Sequence, residues 1–166
     1  MARSRTGVLL FALLLGGSRA GAETWRIFHN DRFGATAEVP AAWRMDPAPE
    51  NNDGRSFSSP DGRAKIVVSG IRAEIGSLEE DKAIRLKPDV GEVVTYEKRG
   101  GGWIVVSGTR GDTIFYRKSI LTCGDSIWDD LSIEYPAAEA GKYAALVKRV
   151  SASLRGGKAY DADGCG

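Results

Sequence analysis

The sequence predicts an α+β fold, a mainly antiparallel sheet of about eight strands covered by helices. Three observations predict it. Residues 92–135 alternate in four strand-like segments separated by glycine-bearing turns. A Ser77-Leu78-Glu79-Glu80 capping box opens a short helix that Pro88 stops. Near the end, Tyr143, Leu146, Val147, Val150 and Leu154 fall at helical spacing and form one apolar stripe.

The chain begins with a leader. Arg3 and Arg5 precede an unbroken apolar run from Val8 to Leu15, and Ala20-Gly21-Ala22 supplies small residues for cleavage. Eight apolar residues rise only about 12 Å as a helix, against roughly 30 Å of hydrocarbon, so a cleaved signal peptide fits better than a membrane anchor. Residues 1–22 are therefore expected to leave after Ala22, and residues 23–166 to form one periplasmic or secreted domain with no membrane span. The leader takes three arginines with it. The 23 basic and 22 acidic residues of the whole chain become 20 and 22, a net charge of −2. That balance argues against nucleic acid or an anionic membrane as the main partner.

Cys123 and Cys165 are the only cysteines, and export makes a disulfide between them the simplest reading. Neither belongs to a C-x-x-C pair, so redox catalysis is not indicated.

Residues 24–29 and Phe33 to Val39 read as a first hairpin about Asn30-Asp31-Arg32, followed by a short helical turn at Pro40–Trp43. A polar loop over 46–54 leads to a second hairpin, Arg55–Ser59 and Ala64–Ile71, joined by Pro60-Asp61-Gly62-Arg63. The helix from Ser77 to Leu86 needs a sheet to cover Leu78, Ala83 and Ile84. The meander strands are then Glu92–Lys98, Trp103–Thr109, Asp112–Cys123 and Ser126–Tyr135. Trp103-Ile104-Val105-Val106 lacks polar alternation, which suits a central strand covered on both faces. Pro136 to Leu154 forms the last helix, stopped by Gly156-Gly157.

Phe28, Asn30, Phe33-Gly34 and Pro40-Ala41-Ala42-Trp43 resemble the opening of PsbP-like domains, where an aromatic-glycine hairpin leads into a Pro-x-x-Trp turn. Glu134-Tyr135-Pro136-Ala137-Ala138, followed by an amphipathic helix, is also similar. The resemblance spans residues 23–166 and points to the exported bacterial branch of that superfamily, which also holds photosystem extrinsic subunits and a Ran-binding nuclear transport factor. It implies an α/β/α sandwich used for protein contact or accessory roles, with no active-site motif to carry over.

Reactive constellations are weak. His29 is the sole histidine, and no Gly-x-Ser-x-Gly elbow presents a serine to it. Gly124-Asp125-Ser126 superficially resembles a hydrolase serine block, but a hairpin turn explains it better. One histidine and two separated cysteines offer no zinc cluster. Asn51-Asn52-Asp53-Gly54 and Asp161-Ala162-Asp163-Gly164 offer oxygens without completing a calcium loop. Asp129 and Asp130 must point to opposite faces of their strand, while Glu79-Glu80-Asp81 sit where a helix dipole favours acids. Arg110-Gly111-Asp112 reads as a turn rather than an adhesion motif, and Gly100-Gly101-Gly102 lacks the sequel of a phosphate loop. Trp128 stands out, since its strand face otherwise carries Asp130, Ser132 and Glu134. Either a helix covers it or it anchors a partner.

No cofactor, metal or catalytic residue is expected. The leading expectation is an exported, non-enzymatic accessory or binding protein acting on a protein partner. The second is a small periplasmic hydrolase with an unrecognised site that uses His29.

Overall fold

The computed structural model describes residues 23–73, 77–157 and 165. The expected leader, its cleavage site and Asp161–Gly164 lie outside them. The chain runs β1 (Trp25–His29), β2 (Thr36–Pro40), β3 (Arg44–Met45), β4 (Gly54–Ser58), β5 (Lys65–Arg72), α1 (Leu78–Leu86), β6 (Glu92–Arg99), β7 (Trp103–Arg110), β8 (Thr113–Thr122), β9 (Ile127–Pro136) and α2 (Ala140–Ser153). A single 3₁₀ turn over Ala137–Glu139 precedes α2. No helix among the described residues is long and apolar enough to cross a membrane.

Seven strands form one antiparallel sheet in the order β3-β4-β5-β9-β8-β7-β6, and β1-β2 form a separate hairpin. The crossover between β5 and β9 makes β9 the middle of the sheet. It pairs with β5 from Lys65↔Glu134 to Arg72↔Ile127, and with β8 from Thr113↔Pro136 to Thr122↔Ile127. The architecture is the expected α+β sandwich of three layers, with α1 on one face and α2 plus the β1-β2 hairpin on the other. Two local expectations change. Pro40–Trp43 is a β-turn, closed by the Trp43 N–H on the Pro40 carbonyl at 3.1 Å, not a helical turn. It releases the chain into the two-residue edge strand β3, which was not expected.

Alternation along β9 divides the interior in two. Leu131, Ile133 and Tyr135 face α2 and pack with Tyr143, Leu146, Val150, Phe57, Ile66 and Val68. Trp128 points the other way and joins Ile104, Val106 and Phe115, with Leu78 and Leu86 of α1 packed against them. The run Trp103–Val106 belongs to β7, second from the sheet edge, so the expectation of a central strand is corrected. Ile104 and Val106 lie in the α1-side core and Val105 is buried on the other face, while Trp103 is only half buried.

The capping box forms as expected. The Ser77 hydroxyl accepts from the Glu80 N–H at 3.3 Å, and the Glu80 carboxylate accepts from the Ser77 N–H at 2.8 Å. Beyond α2 the chain crosses back to the hairpin, where Thr36 and Arg155 exchange backbone hydrogen bonds of 2.8 and 3.0 Å. Gly34 takes φ of +90° here, and a side chain on it would collide with the Gly157 backbone. Gly156 is equally constrained, because a Cβ there would strike Asp129 and Thr122.

Cys123 and Cys165 form a disulfide across a separation of 42 residues. On the chain-entropy model a loop of that length stabilises the fold by about 3–4 kcal/mol. Urea denaturation with and without reductant should show a loss of that size. An unchanged midpoint would mean the bridge does not constrain the unfolded chain.

Asp129 lies beneath the returning tail, fully buried, with its Oδ2 accepting from the Thr122 hydroxyl at 2.8 Å. Its Oδ1 has no partner among the described residues. Burial pushes its pKa up from 3.8 to about 6, against the Thr122 hydrogen bond and with help from the Asp130 charge. A raised folded-state pKa contributes stability that is complete below 3.8 and lost as pH rises through about 6. Asp129→Asn should therefore be nearly neutral at about pH 4 and stabilising by about 2–3 kcal/mol near pH 8. Thermal melts of both proteins across that range check it.

Candidate partner-binding face

Trp128 is covered. Its side chain has 0% exposure, so it anchors no external partner. The indole N–H donates to the buried carboxylate of Asp81, which α1 carries inward from its first turn. Arg85, one helical turn later, lies over the indole at 4.5 Å and donates to Asp130 at 2.6 Å and to the Ser119 hydroxyl at 3.2 Å. Burial drives the Asp130 pKa up, while the Arg85 charge and hydrogen bond oppose it. Asp129 and Asp130 face opposite sides, as strand alternation requires. Sequence reading did not anticipate that Asp81 and Asp130 would share one guanidinium. The signal was there, in Asp81 and Arg85 at i and i+4, but only the tertiary fold brings Asp130 to them. Both carboxylates are held by a cation or an indole, so the cluster clamps α1 to the sheet and offers no free base.

The other sequence candidates are dispersed. His29 is exposed, its Nδ1 2.8 Å from the Thr36 hydroxyl and its Nε2 3.9 Å from Asp31. That threonine hydroxyl also lies 3.1 Å from the Gly34 carbonyl, to which it can donate. Gly124-Asp125-Ser126 is a hairpin turn with left-handed backbone at Cys123, Gly124 and Asp125, and the Ser126 hydroxyl donates to the Cys123 carbonyl at 2.6 Å. In the 51–54 loop, Asn51 donates to the Asp53 carboxylate at 2.8 Å, so the loop's own donors occupy its oxygens. Arg110-Gly111-Asp112 is the β7-β8 turn. Among the described residues, no group of three or more His, Cys, Asp or Glu could hold a metal ion.

Two depressions flank the helices. One, of about 430 Å³, is walled by Trp43, Tyr143 and Leu146 beside Asp61 and Lys142. Its rim charges are spent on each other: Lys142 pairs with Glu139 at 2.8 Å, and Asp61 with Arg63 at 3.1 Å. The other, about 190 Å³, lies beside α1 with Arg85 and Arg117, both already paired with carboxylates.

The outstanding surface is the α2-side face of β6, β7 and β8. α2 and the hairpin lie over β5, β9 and β8, so on this side Val93, Tyr96 and Lys98 of β6 are exposed, Trp103 of β7 is half-buried and Val105 is buried. Strand register aligns the residues of this side in rows. Tyr96, Ser107 and Tyr116 form one row; Lys98, Val105 and Lys118 form the next; Trp103 and Ile120 follow. Val93 is 62% exposed and Tyr96 50%. A β-bulge between Val94 and Tyr96 shifts the pairing by one residue and so turns Tyr96 onto this face, where strict alternation from Val93 would have placed Thr95. That bulge is why the sequence reading missed the surface. Lys118 is tethered, its ammonium donating to the Ser151 carbonyl at 2.6 Å.

Trp128→Phe should strand the Asp81 carboxylate without its indole donor, costing about 2–4 kcal/mol. Adding Asp81→Ala should cost less than the sum of the two single changes, because they remove one shared interaction. Urea denaturation of the four proteins measures the coupling, and simple additivity would show that the indole–carboxylate contact is not an energetic unit.

No family model matches the chain, and no curated protein matches its sequence. Solved structures do. A cyanobacterial PsbP (CyanoP) from Synechocystis aligns over 86% of this chain and 98% of its own, at 9% identity and a TM-score of 0.57. The Ran-binding protein Mog1p of Saccharomyces cerevisiae aligns over 81% of this chain and 96% of its own, at 12% identity and a TM-score of 0.51. At such identities the likeness is one of fold alone. The hairpin, the seven-stranded sheet and the two helices together make this a PsbP-like fold.

Proposed function

We propose that the protein is an exported, non-enzymatic accessory or binding protein that engages a protein partner through the α2-side face of β6–β8. The observation that carries this reading is the patch itself, where exposed Val93 and Tyr96 lie beside half-buried Trp103 on the sheet's edge. Aromatic side chains held on a rigid sheet suit a recognition surface, since burying them releases water at little conformational cost. The yeast neighbour's description as Ran-binding supports use of this scaffold for protein recognition. The leader pattern and the Cys123–Cys165 bridge support export to an oxidising compartment, periplasmic or extracellular. The hydrolase reading finds less support: the imidazole of His29 is exposed, and among the described residues the hydroxyl hydrogen-bonded to it is that of Thr36, itself in contact with the Gly34 carbonyl.

The test compares wild-type residues 23–166 with Val93→Asp/Tyr96→Asp as bait for extracts of the native envelope. Both positions are exposed, so the melting temperature should stay within a few degrees while recovery of the co-eluting protein falls at least tenfold. Equal recovery by bait and variant would remove the face from the account. Turnover of generic esters or glycosides that His29→Ala abolishes would replace the binding reading with the enzymatic one.

A further inference from the structure

We infer that the partner segment docking on the β6–β8 face is acidic, a polypeptide stretch whose carboxylates meet Lys98 and Lys148 while its apolar side chains lie on Tyr96 and Trp103. This rests on the proposed binding face and names the chemistry it selects.

The positions of β6, β7 and β8 that face α2 carry charge of one sign. The side chains that β6, β7 and β8 direct toward α2 include Val93, Tyr96, Lys98, Trp103, Val105, Ser107, Thr109, Tyr116 and Lys118, with no carboxylate among those positions. The acids of β6, Glu92 and Glu97, pair in register with Arg110 and Val106, whose side chains belong to the opposite face. The adjoining helix α2, AGKYAALVKRVSAS, contains no acidic residue. Ser151 holds the Lys118 ammonium, so the flank of α2 that carries Ser151 borders this face, and Lys148 lies on that flank. The ammonium groups of Lys98 and Lys148 enter no ion pair among the described residues. Several arginines elsewhere are matched: Arg44 with Asp46, Arg85 with Asp130, Arg110 with Glu134, Arg117 with Glu92 and Arg149 with Glu38.

The register adds geometry to the charge. The lysine row of Lys98, Val105 and Lys118 lies between the row holding Tyr96 and Tyr116 and the row holding Trp103. Rows two residues apart along a strand are about 7 Å apart. Every second side chain of an extended segment lies on one face at that same spacing, so a segment that places an acid between two apolar residues at alternate positions sets its carboxylate over the lysine row and its apolar groups over the rings on either side. A chain carrying net charge −2 after loss of its leader disfavours a uniform polyanion, whose charge density would also meet the acidic remainder of the surface.

The probes are an acetylated, amidated twelve-residue peptide in which Glu alternates with Phe or Leu at every second position and Ser fills the positions between, its Gln-for-Glu counterpart, and a heparin oligosaccharide. Each is titrated into wild-type residues 23–166, Lys98→Glu/Lys148→Glu and Val93→Asp/Tyr96→Asp, followed by tryptophan fluorescence and amide chemical shifts. The acidic peptide should bind the wild type at least tenfold more tightly than the Gln peptide, shift amides of β6 and β7, and weaken at least tenfold with either the lysine variant or a rise from about 50 to 500 mM salt. Equal affinity for the Gln peptide, or no loss in the lysine variant, overturns the acidic partner. If the Val93→Asp/Tyr96→Asp protein still loses binding in that case, the face itself stands. Heparin binding more tightly than the acidic peptide also overturns the inference, in favour of an anionic polysaccharide. Amide shifts that avoid β6–β8 overturn both the inference and the face.

Discussion

The structure depends on the two-residue period of β9. This strand is hydrogen-bonded along its length on both sides, so its side chains have only the two faces of the sheet to occupy. Leu131, Ile133 and Tyr135 then build one interior, and Trp128 and Asp130 the other. α2 is recruited by the first set through ordinary apolar packing. α1 needs more, because the second set is partly polar: an indole and a carboxylate on β9 meet a carboxylate and a guanidinium on α1. A one-residue slip in β9 would exchange the two sets and leave both helices facing the wrong chemistry.

Much of this was legible from residues alone. The meander, the Ser77 capping box, the α2 stripe and the opposite facing of Asp129 and Asp130 follow from local periodicity and turn chemistry, and the structure reproduces them. What failed required knowledge of sheet order. Trp103-Ile104-Val105-Val106 reads as a centre strand because its composition is apolar, yet composition cannot report that β6 alone lies outside it. Trp128 was ambiguous because its strand neighbours are polar, and only the arrival of Asp81 and Arg85 from residues far back in the chain resolves it. The surface around Tyr96 was hidden by a bulge, which breaks the alternation on which strand reading rests.

The coverage of the sheet is staggered. α1 spans only Leu78–Leu86, about 13 Å, and lies over the β7–β9 side of one face. α2 and the hairpin lie over the β5–β8 side of the other. Each face thus keeps an uncovered strip, but the two strips differ in kind. On the α1 side, Ser56, Ser69 and Ser132 pave it and its arginines are paired. On the α2 side it carries Val93, Tyr96 and Lys98 at the edge strand.

The backbone bridge between Thr36 and Arg155 has a consequence for biogenesis. The first hairpin is held by a residue far downstream, so that partner does not yet exist while the intervening chain is being made. Contacts of such long sequence separation form slowly and leave early segments exposed in the meantime. A chain made from its amino end must keep Trp25, Phe28 and Val39 unsheltered until α2 and Arg155 have been synthesised. A holding chaperone would therefore have its greatest effect on this first stretch, with release timed by the arrival of Arg155.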